Sequence, residues 1–529
     1  MTTRRRLLQS LAAGAGVAAL PHRGEASETG GVKPVPGRDP IDDTSQEYLA
    51  FRLGAAEAPL PDPLDFGVGF NWFDHLGSGG LYARNAGYPL DAPVYPDLAD
   101  AAAWGEIRLA LDEMKPGFIR FGLPPDPHVA PDGSFRPGTV HLARLAWLDQ
   151  WASRSGCTIL LDTFLVPAAH EFPVPAGLVP GTVCNMAAKD NGAYAQRFVA
   201  PLLRHVVKDL RLESVRWFNP VNEPMEYGVY RTPEGGPEVY GHYVGMYREM
   251  RAALDRAGVP RERVGLVGCD TFSERFLFLP EQAAGGIDID PFVDLYSIHF
   301  YNLRFDTLPP SEGSWTRPIG DLMADTARQV RYCRARGKRL IAAEMGTFYF
   351  GWRMNDPAGV ASADATLTVA EGVVRGMNAG LGAFGFWSFM NPNDIDGWFG
   401  IVGLDERQKL QRTRHPWGVY GLLSRHARPG SRVYPLHAQP ARNLSVVHGT
   451  ALVAPSGERT ILLVSDERAQ RARLEVHLPE PLRATRWTRV TTDRVRLQQP
   501  LPDLVPDDPA KLPVVVNPMS LTVLTAPAR

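Results

Sequence analysis

Leu340-Ile341-Ala342-Ala343-Glu344-Met345-Gly346 is an apolar run that ends on a carboxylate and a glycine. Successive apolar residues bury both faces of a strand, which is the habit of a parallel sheet covered by helices. Similar runs occur at 66–70, 117–121, 158–162, 214–218, 264–268, 293–298 and 383–387. Amphipathic stretches between them predict helices near 97–114, 141–155, 191–210, 238–257, 319–336 and 362–379. The link at 271–291 has the least helical pattern. Strands and helices alternating in this way predict an α/β fold, a closed TIM (β/α)8 barrel, over residues 64–428.

Past residue 429 the rhythm changes to short runs bounded by turn residues, at 444–447, 460–464, 472–476, 514–516 and 521–524. They predict a small C-terminal β-sandwich over 429–529, read as a packing module rather than a carbohydrate-binding one. Residues 31–63 are rich in Pro, Gly and acidic residues and read as a linker or N-terminal wrap. Residues 1–30 open with Thr3-Arg4-Arg5-Arg6-Leu7-Leu8-Gln9 and continue into a short apolar run, Leu11 to Leu20. That pattern predicts a twin-arginine-type signal peptide, cleaved near Ala18 or Ala26, and a periplasmic or secreted protein with no membrane span in the mature chain.

The 529 residues are 44% hydrophobic and 22% charged, the balance of a globular protein with room for two folded units. A net charge of -2 gives no basic excess for a phosphate backbone, so nucleic acid is not an expected partner. Cys157, Cys184, Cys269 and Cys333 are far apart and read as buried thiols. Gly380-Leu381-Gly382-Ala383-Phe384-Gly385 matches a dinucleotide-binding pattern, but it follows a helix and enters a strand, the reverse of the required context. No cofactor and no metal are expected. Oligomeric state is not encoded in any pattern found.

Reacting groups in such a barrel sit at the C-terminal ends of strands. Glu223 follows the fourth strand in Trp217-Phe218-Asn219-Pro220-Val221-Asn222-Glu223-Pro224, and Glu344 closes the seventh. Two carboxyls are the minimum for cleaving a glycosidic bond, one protonating the leaving oxygen and one on the other side of the sugar. Asn71 after strand one and Asp162 after strand three are placed to reach sugar hydroxyls. Trp387, ending strand eight, offers a flat apolar face to a sugar ring. Trp72, Trp352 and Trp398 are further candidate subsite walls.

The Asn222-Glu223-Pro224 tripeptide and the strand-end Glu344 resemble the large clan of retaining (β/α)8 glycoside hydrolases with glutamates on strands four and seven, cellulase-like in the manner of families 5 and 39. The resemblance spans roughly residues 66–425. It implies Glu223 as acid/base, Glu344 as nucleophile and Arg120 as the cation that keeps the nucleophile ionised. It also implies Asn222 on the sugar 2-hydroxyl, Tyr301 hydrogen-bonded to the nucleophile, His299 beside it, and an oligo- or polysaccharide substrate, mostly β-linked. A transglycosylase, a non-catalytic carbohydrate-binding barrel and a metal-using hydrolase are the rival readings.

Overall fold

The computed structural model describes residues 38–43, 48–73, 95–163, 166–170, 188–224, 236–273, 288–310, 316–347, 349, 362–390, 400–403, 409–439 and 446–528. Eight strands close into a barrel: β1 (Gly67–Phe73), β2 (Phe118–Gly122), β3 (Thr158–Asp162), β4 (Val215–Asn219), β5 (Gly265–Phe272), β6 (Leu295–Phe300), β7 (Arg339–Met345) and β8 (Ala383–Phe386). Every pairing is parallel, and β8 returns to β1 with Phe386 opposite Phe70. The expected strands and barrel are therefore present.

Alternation along each strand sorts the side chains into two layers. Phe118, Leu160, Val267, Ile341 and Ala343 pack together in the lumen. Ile119, Ile159, Leu161, Leu340 and Ala342 join the larger core between strands and helices. Arg120 and Asp162 share the parity of Phe118 and Leu160, so they enter the lumen one layer nearer its C-terminal mouth.

Three strands break the alternation, one of them β4, where Val215 and Trp217 pair with consecutive residues of β3. The register shifts between Cys269 and Thr271 on β5, and between Ala342 and Glu344 on β7. Asp270 and Glu344 each stand three positions past a lumen residue, so strict alternation would turn both outward. The extra residue of a bulge returns them to the lumen, a common device beside active sites.

The helices start and stop where local chemistry says they should. Asp100, Thr139 and Ser362 cap the N-termini of helices Ala101–Met114, Val140–Ser155 and Ala363–Ala379. Gly156 and Gly380 end the latter two at φ of 72° and 94°, where glycine avoids the Cβ penalty. The helical stretch expected at 191–210 contains two π-turns, Ala195–Val199 and His205–Asp209, around Pro201. Proline has no N–H to donate, and the Arg197 carbonyl accepts instead from Phe135 N–H at 2.8 Å.

The C-terminal β-domain is one continuous nine-stranded sheet. Its two ends share a core, with Trp487 from one side and Leu512 and Val514 from the other. The segment expected as a linker or wrap supplies one of its strands: Leu49–Ala55 pairs parallel with Ala472–His477 and antiparallel with Arg432–Ala438. Upstream, the buried Asp39 receives both terminal nitrogens of Arg489, at 2.5 and 2.6 Å. Ile461 and Leu463 face the domain's own core, while Leu462 and Val464 join the barrel's outer core. One sheet face thus docks on the barrel, alongside helix Ala363–Ala379, whose Asn378 amide donates to Gly449 O at 2.9 Å. No helix among the described residues is long and apolar enough to cross a membrane.

Candidate active site

The mouth of the barrel gathers the strand-end residues of β1 to β7 around one guanidinium. Arg120, 1% exposed, donates from Nη1 to Glu344 Oε1 and from Nη2 to Asn222 Oδ1 at 2.7 Å and Asp270 Oδ2 at 2.6 Å. It also pairs with Asp162. Nη1 further reaches Asn71 Oδ1 at 3.3 Å. Tyr301 completes the surroundings of Glu344, its hydroxyl donating to Oε2 at 2.7 Å.

Glu223 stands across this mouth in a left-handed conformation, φ +44°, which is strained for a residue with a side chain. Its N–H donates to Asp270 O at 2.9 Å and holds that turn. His299 links it to the rest, with Nδ1 2.7 Å from Glu223 Oε1, Nε2 3.0 Å from Asp270 Oδ1, and Nδ1 3.6 Å from Glu344 Oε2.

The charges are unequal by construction. Burial opposes ionisation of Asp270, yet Arg120 and His299 together hold its carboxyl down to about 2. Burial opposes charge on His299 as well, but Glu344, Asp270 and Glu223 raise it well above the usual imidazole range. Burial works against Arg120 too, and its three carboxylate partners more than offset it. Four carboxyls therefore face two cations. Arg120 contacts Glu344, Asp162 and Asp270, whereas Glu223 meets the cluster through His299.

An oxygen of Glu223, a ring nitrogen of His299 and an oxygen of Glu344 lie within 4.8 Å of one another. Such spacing also suits a metal ion. Here Nδ1 is engaged with Glu223, and the Glu344 oxygens are engaged with Arg120 and Tyr301. The donors fit a proton network better than a metal shell.

The structure brings Glu223, Glu344, Arg120, Asn222, His299, Tyr301, Asn71 and Asp162 into this one cluster. Asn71 and Asp162 serve Arg120 rather than the open mouth: the Asn71 amide also donates to Ala343 O and Phe386 O at 2.9 and 3.2 Å. Trp387 is half-buried at the end of β8, joined to Ser388 by a cis peptide bond. Trp72 is not a subsite wall. It is fully buried on the outer face of β1, stacked on Tyr95 with centroids 4.2 Å apart. The other two candidate walls, Trp352 and Trp398, lie outside the described residues.

Asp270, Asn219 and Ser297 were not singled out from the sequence. Asn219 Nδ2 and Ser297 Oγ donate to Asp270 at 2.5 and 2.7 Å. Applying the strand-end rule to strand five as well would have found Asp270.

No family model and no curated protein sequence matches the chain. Solved structures do match it. A GH30 endoxylanase from Clostridium papyrosolvens C71 aligns with a TM-score of 0.58 at 13% identity, covering 90% of this chain and 100% of that one. The chain shares its fold. A conserved exported protein from Bacteroides fragilis aligns with a TM-score of 0.63 at 12% identity, over 90% and 100% of the two chains. A monomeric beta-xylosidase from Caulobacter crescentus CB15 gives 0.53 at 13% identity, over 91% and 99%.

Proposed function

We propose that this chain is a retaining glycoside hydrolase in which Glu223 is the acid/base and Glu344 the nucleophile. The observation that carries the reading is the pair itself: two strand-end carboxyls with oxygens within 4.8 Å, one held by Arg120 and Tyr301 and the other by His299. Both oxygens of Glu344 are engaged, Oε1 accepting from Arg120 and Oε2 from the Tyr301 hydroxyl. A close pair suits retention, for which carboxyls stand about 5–5.5 Å apart, while inversion needs roughly 6.5–9.5 Å to admit a water.

In the first step Glu223 gives its proton to the glycosidic oxygen as the bond to the anomeric carbon breaks, and Glu344 bonds to that carbon. In the second, Glu223 takes a proton from water, whose oxygen displaces Glu344. Asn222, held by Arg120, is oriented to bond the 2-hydroxyl, and Trp387 to pack against the ring. The names of the similar structures favour a β-linked substrate. The arginine-led N-terminus favours export, which replacing Arg4 and Arg5 by lysine should abolish in a cell-fractionation experiment.

A panel of aryl glycosides and polysaccharides tests the assignment. Wild type should cleave at least one. Glu344→Ala should lose activity by several orders of magnitude and regain turnover with azide, giving a glycosyl azide of inverted configuration. A fully active Glu344→Ala enzyme would remove the nucleophile from the scheme.

A further inference from the structure

Asp270 takes no part in the reaction as written for two glutamates, yet its carboxylate is fully buried and surrounded by donors. Oδ2 accepts from Arg120 and Asn219, and Oδ1 accepts from Ser297 and faces His299 Nε2 at 3.0 Å. A carboxylate with this many donors stays ionised and presents a fixed negative charge to that ring nitrogen. The bulge of β5 exists at this point, with Cys269 and Asp270 at φ +68° and +45°, and it is what turns the carboxylate into the lumen. The same residue's backbone carbonyl holds the strained turn of Glu223. Asp270 therefore touches the proton donor twice, once through the chain and once through His299.

We propose that Asp270 is a positioning residue for the proton donor: its charge keeps His299 an imidazolium, which donates Nδ1–H to Glu223 Oε1 and leaves Oε2 to deliver the proton to the leaving oxygen. This rests on the reading of Glu223 as acid/base. The protons balance without further partners. His299 keeps both of its protons throughout. Glu223 loses one to the leaving oxygen, whose bond to the anomeric carbon breaks with both electrons, and becomes a carboxylate facing the imidazolium. Water then restores that proton as its oxygen bonds to the anomeric carbon and Glu344 departs. The imidazolium stabilises Glu223 as it becomes charged, an interaction stronger in the transition state than before it.

Asp270 also touches Arg120, so a loss of activity alone would not distinguish the donor side from the nucleophile side. Leaving-group dependence does. Asp270→Asn should lower kcat/KM on the order of 10- to 100-fold for a glycoside whose leaving group needs protonation. The 2,4-dinitrophenyl glycoside of the same sugar, which needs none, should change by less than about threefold on the same ground. Equal losses on both would place Asp270 behind Arg120 and Glu344 and overturn the proposal.

A second readout needs no substrate and is taken on the wild-type enzyme. Ring-nitrogen NMR of wild-type His299, assigned by its loss in His299→Gln, should show both nitrogens protonated through pH 8. Titration of His299 at or below the ordinary imidazole range would overturn the proposal while leaving the glycosidase assignment intact. Wild-type enzyme that cleaves no glycoside in the panel would overturn both.

Discussion

Replacing Arg120 by methionine removes the cation on which the candidate site is built, and the structure sets the size and the pH dependence of the result. Arg120 is buried against Glu344, Asp162 and Asp270, and methionine fills much of its volume without charge. Breaking a buried ion pair from one side costs about 3–5 kcal/mol, because the partner is left charged and unpaired. Three partners share this cation, so a value at or above the upper end is expected.

The carboxylates can escape the cost by taking up protons. In wild type the Asp270 carboxyl is held down to about 2, so its contribution is complete above the ordinary carboxylate range and fades only as pH falls toward 2. In Arg120→Met the cluster's carboxyls are raised in the folded state, so stability is present below their unfolded values and is lost as pH rises. The difference between the two proteins should therefore be largest at pH 8 and shrink toward pH 5. Urea denaturation at both pH values, followed by tryptophan fluorescence, reads this. Two folded units make a single transition unsafe to assume, so the comparison is of the barrel's midpoint. Arg120→Lys should keep most of the stability but lose activity, since one ammonium cannot match the guanidinium fork that meets Glu344, Asn222 and Asp270 together. A loss below about 1 kcal/mol, or one equal at both pH values, would refute this view of the cluster.

Other outcomes follow from single sites. At the junction of barrel and β-domain, burial pushes Glu371 up to about 7 against the pull of Arg375, and pushes Asp466 up to about 7 with help from Glu371. Both are raised groups, so wild type should lose stability as pH rises from 5 to 8, by roughly 3 kcal/mol at most from Glu371; Glu371→Gln should flatten that slope, and an unchanged thermal-melt profile would contradict it. Trp72→Ala should cost about 3–5 kcal/mol in unfolding experiments as a core truncation, with kcat/KM per folded molecule little changed, whereas Trp387→Ala should leave stability nearly intact and raise KM. The two results exchanged would reverse the assignment of wall and core. Prolonged dialysis against EDTA should leave activity unaltered, and a loss restored by one divalent ion would return a metal to the Glu223–His299–Glu344 set.

The barrel could be read from the sequence because its strands are buried on both sides and nearly every residue in them is apolar. That signal is local. The β-domain was read in part, and the missed strands show why. Gln499–Leu504 carries two prolines and lies at the sheet edge, where a missing N–H is tolerated. Trp487–Asp493 alternates with polar residues, and Arg432–Ala438 is broken by Pro435. Leu49–Ala55 finds its parallel partner at Ala472–His477, a pairing no local pattern can reveal.

In the site, Glu223 and Glu344 stood out because carboxylates at the ends of apolar runs need an explanation. Asp270 lies two residues past the apolar run at 264–268, behind Cys269, so it does not close that run as Glu344 closes its own. Trp72 was misjudged. Period two alone places it on the face away from Asn71, where it is fully buried as a core aromatic.

The central claim is double displacement between Glu223 and Glu344, and the configuration of the first product reports on it directly. Proton NMR of a reaction with any glycoside the enzyme accepts, recorded before mutarotation, should show the anomeric configuration of the substrate retained. Net inversion would contradict the assignment of Glu344 as nucleophile.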